Sequence, residues 1–391
     1  MPELPARRVQ CRIERHRETG TERSLVRGEG SQRVLTALCE RLRQRGARAA
    51  AQNLAIRSRA ARAARSSYIH PVHHLVLITP ALARANNGNW QTAQRWARML
   101  RGDYRVRLAA SWDGHAGDEL MIALHARRSA ASIAAWRAAH PARPLVVVLT
   151  GTDLYADITH DVQAQTSLAL ADRLVVLQPL GRQTVPARWR DKVEVIVQSS
   201  PARRTLAKTG RHLRALMVGH LRSEKSPKTY WAAAKRLRGR SDIRLDHVGG
   251  ALDPALADAA RACMAACPQY RWLGALPHGQ TLARIQRAHL LVHPSRLEGG
   301  AHVVIEAVTS GTPVLASRID GNLGLLGEDY EGLFDWGDDA ALATLLQRCR
   351  DEPDMLARLQ AQCAARAPLF APDRERAALH ALVHRMLETR R

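Results

Sequence analysis

At 391 residues, 46% apolar and 4% aromatic, the chain is long enough for two hydrophobic cores of ordinary size. A formal net charge of +23 raises the question of a nucleic-acid partner, but only five of the 59 basic residues are lysine and the arginines are spread almost everywhere, so no basic face interleaved with aromatics stands out. No apolar run is long enough for a membrane span, and six cysteines without a paired C-x-x-C make neither a disulfide framework nor a zinc site; the chain reads as cytoplasmic.

Residues 1–71 form an Arg-rich extension with sixteen arginines, six acids and no lysine. Apolar periodicity is nearly absent outside Val34–Leu38, which predicts disorder or weak helix. It lacks the apolar core of a secretory signal, and its acids disfavour a transit peptide. One expectation is that translation truly begins near Val72, which an intact mass including the full extension would refute. The other is a basic tail that binds nucleic acid, seen as a salt-dependent gel shift lost on truncation.

From His74 onward, apolar runs at His74–Thr79, Arg105–Ala110, Leu120–His125, Leu145–Thr150, Arg173–Gln178 and Val193–Gln198 alternate with helix-length segments. Such alternation predicts a parallel sheet covered on both faces, a doubly wound domain over 72–200. Ligands of such sheets bind beyond the carboxyl ends of the strands. After the first run, Asn86-Asn87-Gly88-Asn89 opens a helix and can bind an anion, although no G-x-G-x-x-G is present. After the third, Arg127 and Arg128 flank a helix start with Ser129 as its expected N-cap, a cradle for a small, doubly charged anion.

Residues 201–212 read as a linker. A second doubly wound domain over 213–370 begins with Ala215–Val218 and the turn Gly219–Lys225. Cys263 and Cys267 lie four apart on a predicted helix and read as two small buried side chains. Gly321–Gly324 forms a further glycine loop. Residues 371–391 continue a helical pattern broken at Pro353, Pro368 and Pro372.

Within this second half, the buried strand Leu290–His293 leads into Glu298-Gly299-Gly300, a helix opened by the glycines, Glu306, and Gly311 before Pro313. Two glycines at a helix start admit a ligand to free amides that favour phosphate. Glu298 and Glu306 can accept hydrogen bonds from hydroxyls on either side of a diphosphate, the demands of a nucleotide-sugar. No D-x-D at a strand end offers to hold a metal.

Glu298 to Glu306, Ala307 and Gly311-Thr312-Pro313-Val314 resemble the signature of the GT-B glycosyltransferases of the retaining family that includes sucrose and trehalose synthases. The resemblance implies two Rossmann-like domains facing a cleft, with a last helix that crosses back to the first domain. By position it places Glu298 at the donor sugar, Glu306 on the ribose, Lys225 on the diphosphate and His125 facing the sugar. It also places Thr152 and Asp153, within Thr150–Tyr155, at the cleft on the acceptor side with Gly88, Asn89 and Ser129. His220 stands where the family has an arginine, and Arg222 can supply the missing charge.

A set of longer phrases, among them Leu124–Ala130, Leu149–Tyr155, Leu174–Pro179, Gly249–Pro254 and Asn322–Tyr330, is similar to the SenB family of selenosugar synthases of bacterial selenoneine biosynthesis. That resemblance implies transfer of selenium from selenophosphate to C1 of a sugar from UDP-N-acetylglucosamine or UDP-glucose. It implies no bound cofactor or metal, a charged pocket built with Arg127 and Arg128, and the other enzymes of that pathway as partners. Two alternatives stay open: a GT-B glycosyltransferase with an ordinary hydroxyl acceptor, and a nucleic-acid binder driven by net charge.

Overall fold

The computed structural model describes residues 72–80 and 88–388. The expected extension over 1–71, and Asn86 and Asn87 of the expected anion loop, lie outside the described residues. Short runs of β-branched and leucine side chains such as Leu145–Leu149 are buried at every position, as strands of a parallel sheet covered on both faces must be. Six of them, β1 (His74–Ile78), β2 (Arg105–Ala109), β3 (Leu120–Leu124), β4 (Leu145–Leu149), β5 (Arg173–Val176) and β6 (Val193–Val195), form one parallel sheet in the order β2-β1-β3-β4-β5-β6. The strands β7 (Leu213–Val218), β8 (Ile243–Val248), β9 (Tyr270–Trp272), β10 (Leu290–His293), β11 (Val314–Ser317) and β12 (Leu333–Phe334) form the second, in the order β12-β11-β10-β7-β8-β9.

Strand order reverses between β1 and β3 in the first sheet and between β7 and β10 in the second. A crevice opens at the carboxyl ends there, because neighbouring connections leave in opposite directions. The segments that follow those strands are the ones carrying His125–Ser129, Gly219–Lys225 and Ser295–Glu306.

The helices that matter for the site are α1 (Gly88–Leu100), α2 (Ala130–Ala139), α3 (Val162–Leu170), α4 (Pro227–Arg236), α5 (Pro254–Ala266), α6 (His278–Arg287), α7 (His302–Thr309), α8 (Asp320–Leu326), α9 (Asp339–Asp351), α10 (Pro353–Arg366) and α11 (Pro372–Glu388). In α11, Leu379, Leu382, Val383 and Met386 join the core of the first sheet beside Trp96 and Leu100 of α1. Each such burial contributes about 2 kcal/mol. His380 Nε2 adds a contact with the Met99 carbonyl at 3.0 Å. The chain therefore ends on the sheet with which it began, and no helix of the described residues is long and apolar enough to cross a membrane. Cys263 and Cys267 are buried as expected, and burial together with the neighbouring thiol pushes Cys263 up to about 12.

Two local expectations need correction. Gly321–Gly324 is not a loop but lies within α8, because these glycines are contact points: a Cβ at Gly321 would lie 2.1 Å from the Glu298 carbonyl oxygen. The Gly299-Gly300 pair does not open α7, which starts at His302 with Ala301 as N-cap. A Cβ at Gly299 would stand 2.4 Å from the Thr150 carbonyl carbon, and one at Gly300 2.6 Å from Leu177 Cβ. The glycines let the loop after β10 touch the loops after β4 and β5.

Candidate active site

On the second sheet, Lys225 and Glu298 are 73 residues apart in sequence and meet at the strand-order reversal, Nζ to Oε1 at 2.5 Å. His293, at the end of β10, adds Nε2 at 3.3 Å from the same oxygen, and its Nδ1 is held by Asn322 at 3.0 Å. Burial opposes ionisation of Glu298, yet the Lys225 ammonium and His293 hold its carboxyl well below the usual carboxylate range. A cavity of ≈ 230 Å³ opens against Glu298, lined also by Tyr155, Arg296, Leu297, Ile319, Asp320 and Gly321. A larger depression of ≈ 560 Å³ near Arg137, Asp172 and Lys192 lies at the opposite, amino ends of β5 and β6, away from these charges.

Glu306, one turn into α7, is 5% exposed. His278 Nε2 lies 2.7 Å and His302 Nδ1 3.2 Å from its Oε1. Burial works against its charge, but the two histidines bring its pKa down to about 2. Neither histidine, nor His293, stood out in the sequence; a signal was present only for His302, four residues before Glu306 on the same helix.

The Gly219–Lys225 turn separates its two candidates. His220 Nδ1 accepts from the Gly250 amide at 3.0 Å, and burial, with Arg222 and Lys225 nearby, lowers its pKa. A neutral ring bound to backbone cannot stand in for an arginine's charge. Arg222 fits that task better: its Nε is buried and makes no hydrogen bond among the described residues.

On the first sheet, His125 follows β3 with φ 72°, the left-handed region that non-glycine residues occupy only when the surroundings hold them there. Its Nδ1 accepts from the Arg128 amide at 3.4 Å, so Nε2 carries the ring proton toward Thr152 Oγ1 at 3.0 Å. Burial lowers the His125 pKa, with Asp153 opposing, and the ring is a neutral donor. Asp153 is fully buried and accepts from the amides of Ala126, Thr150 and Gly151 at 2.9 Å each. It builds the loop through these three amides.

Ser129 does not serve as the expected cap. It sits at the N-cap position of α2 without capping it, because its Oγ donates to the Leu124 carbonyl at 2.7 Å. Arg127 reaches Asp157 at 2.9 Å, on the π-helical turn Asp153–Asp157, whereas the Arg128 side chain is exposed. Gly88 and Asn89 open α1, where the Gly88 carbonyl accepts from Thr92 Oγ1 at 2.9 Å. The site thus gathers into a donor cluster (Lys225, Arg222, Glu298, Glu306) and a loop cluster (His125, Thr152, Asp153, Arg127), brought into contact at Gly151 and Gly299.

Two facing parallel sheets, a helix that returns to the first of them, and charged groups at both strand-order reversals define the GT-B fold of the glycosyltransferases. Solved structures agree on that fold. The sucrose-phosphate synthase of Thermosynechococcus elongatus superposes with a TM-score of 0.66 at 17% identity, covering 81% of this chain and 100% of that one. The Anabaena protein Alr3699/HepE, solved in complex with UDP and glucose, gives 0.66 at 14% identity over 80% of this chain and 99% of that one.

Within the fold, residues 199–366 match the family Glycosyl transferases group 1. Among curated proteins, Glycosyltransferase 1 domain-containing protein 1 of Xenopus tropicalis is 27% identical over 222 residues, or 56% of this chain. The D-inositol 3-phosphate glycosyltransferase of Streptomyces scabiei (strain 87.22) is 40% identical over 92 residues, or 23% of this chain. The aligned stretches span 62% and 21% of those two proteins. Residues 199–366 thus resemble the glycosyl transferases group 1 family, within a chain that has the GT-B fold.

Proposed function

We propose that the chain is a UDP-sugar-dependent glycosyltransferase whose acceptor is a small, already anionic nucleophile, selenophosphate by its resemblance to the selenosugar synthases. The observation that carries the donor half is the Lys225–Glu298 pair at the reversal of the second sheet, with Glu306 kept ionised on the same unit. A nucleotide-sugar would take the place of the Lys225–Glu298 pairing. Glu306 would accept from the ribose hydroxyls and Glu298 from the sugar. Lys225 and the unpaired Arg222 would meet the charge that develops on the diphosphate.

For the acceptor, His125 is a donor with Nδ1 already engaged, so this ring offers no free base to a hydroxyl. An anionic selenium needs none. Its lone pair forms the Se–C1 bond as the C1–O bond to the diphosphate breaks, and UDP leaves with that electron pair. Arg128 and Arg127 are suited to hold the phosphoryl oxygens. Loss of phosphate to water then leaves the selenosugar. With protein cations serving the leaving group, turnover is expected to persist in chelator.

A second reading has its own support in the inositol phosphate transferase named above: the same arginines would hold the phosphate of a hydroxyl acceptor. One experiment separates them. UDP release is followed from UDP-N-acetylglucosamine and UDP-glucose in chelator, with selenophosphate or with inositol phosphate, and products are weighed. A selenohexose supports the first reading. UDP release with inositol phosphate alone transfers support to the second, and no UDP release from either sugar under any condition refutes both.

A further inference from the structure

Glu375, in the first turn of α11, is the most heavily coordinated carboxylate of the described residues, and it lies outside both clusters. At 2% exposure it accepts Arg95 Nε at 2.9 Å and Nη2 at 3.1 Å. It also takes Trp96 Nε1 at 2.7 Å, and the amide and hydroxyl of Ser199 at 2.8 and 2.6 Å. One carboxylate therefore ties α1, the end of the first sheet's last connection and the returning helix together. Arg95 has a third nitrogen left over. Its Nη1 faces His302 Nε2 at 3.0 Å.

A guanidinium only donates, so Nε2 of His302 accepts and the ring proton sits on Nδ1, 3.2 Å from Glu306 Oε1. A second proton on Nε2, which the Ser199 carbonyl at 3.1 Å would accept, would set a cation against the guanidinium. Arg95 thereby fixes which tautomer His302 presents. His278 meets the same Oε1, and Oε2 accepts no hydrogen bond from another described residue.

We infer that His302 is a positioning residue for the nucleotide: the Glu375–Arg95–His302 chain anchors Oε1 of Glu306 from the side of the first sheet, so that Oε2 is presented to the ribose hydroxyls. The inference rests on the nucleotide reading of Glu306 proposed above. It adds that half of the ribose contact is set by residues of α1 and α11, so seating of the returning helix governs nucleotide affinity. Orientation of a ligating carboxylate by such outer partners follows the same physics as in metal sites.

Calorimetric titration of the full chain with UDP and with 2′,3′-dideoxy-UDP tests this. His302→Asn keeps a donor where Nδ1 stands; His302→Gln removes it, and His302→Ala gives the same reading should the Gln variant fail to fold. His302→Gln should weaken UDP binding about tenfold, the loss of one hydrogen bond to a charged group, while His302→Asn stays within about threefold of the unaltered chain. Binding of the dideoxy analogue should not change with either. Equal losses for UDP and the dideoxy analogue, or no loss, overturn the inference alone. No binding of UDP by the unaltered chain overturns it together with the nucleotide reading.

Discussion

The two sides of the cleft solve the problem of buried polar groups in opposite ways. Around His125 and Asp153 nearly every partner is backbone: Asp153 accepts three amides and Ser129 returns to a strand carbonyl. Around Glu298 and Glu306 the partners are charged or titratable side chains, Lys225, His293, His278 and His302. A carboxylate bound to amides cannot leave them without undoing its loop. One bound to side chains, as Glu298 is to Lys225, can exchange them for a ligand. The first side is preformed and the second is poised.

Removing one carboxylate from each side should separate these roles. Asp153→Ala strands the amides of Ala126, Thr150 and Gly151 and should cost on the order of 4 kcal/mol in denaturant unfolding, with loss of activity following from loss of the loop. Lys225→Met leaves Glu298 charged and buried and should cost about 3 kcal/mol. Adding Glu298→Gln should return most of that stability while activity stays lost. If the double variant is no more stable than Lys225→Met, the pair is not the exchangeable element described here.

Contact between the two sides can be broken at a glycine. Gly299→Ala places a methyl 2.4 Å from the Thr150 carbonyl carbon, too close for any rotamer to relieve, and should cost about 2 kcal/mol by overpacking. The expected signature is a larger loss in turnover than in UDP affinity, since the side chains proposed to touch the nucleotide all belong to the second sheet's side. An equal loss in both would mean that the loop itself has collapsed.

Much of this was legible in the sequence. Runs such as Leu145–Leu149 fixed the strands because burial on both faces tolerates nothing but apolar residues, and the spacing from Glu298 to Glu306 marked the poised side. What the sequence hid is long-range. Arg95, Ser199 and Glu375 come from three separate segments, and no local pattern shows that they share one hydrogen-bond network. Gly299 and Gly300 look in the sequence like room for a ligand, while the neighbours that require them are Thr150 and Leu177, 149 and 123 positions away. The burial of Asp153 depends on amides that only the folded turn presents.

The smallest effect concerns the outer partner of Glu306. The hydrogen bond to Glu306 raises the His278 pKa above its ordinary 6.5, against burial and the repulsion of Arg203 and Arg98. A raised histidine pKa means that folding favours the protonated ring, so its contribution is complete below pH 6.5 and fades as the pH rises through the raised value. Glu306 runs the other way: depressed from 4.5 to about 2, it contributes above pH 4.5 and is lost as the pH falls toward 2. The pair is therefore strongest between those limits. His278→Asn keeps a donor but not the charge, and because the ring is half exposed the difference should be only about 0.5 kcal/mol after solvent screening. Melting at pH 6 should separate the variant from the unaltered chain more than melting at pH 9. A gap independent of pH would mean that a neutral hydrogen bond from residue 278 suffices to hold Glu306.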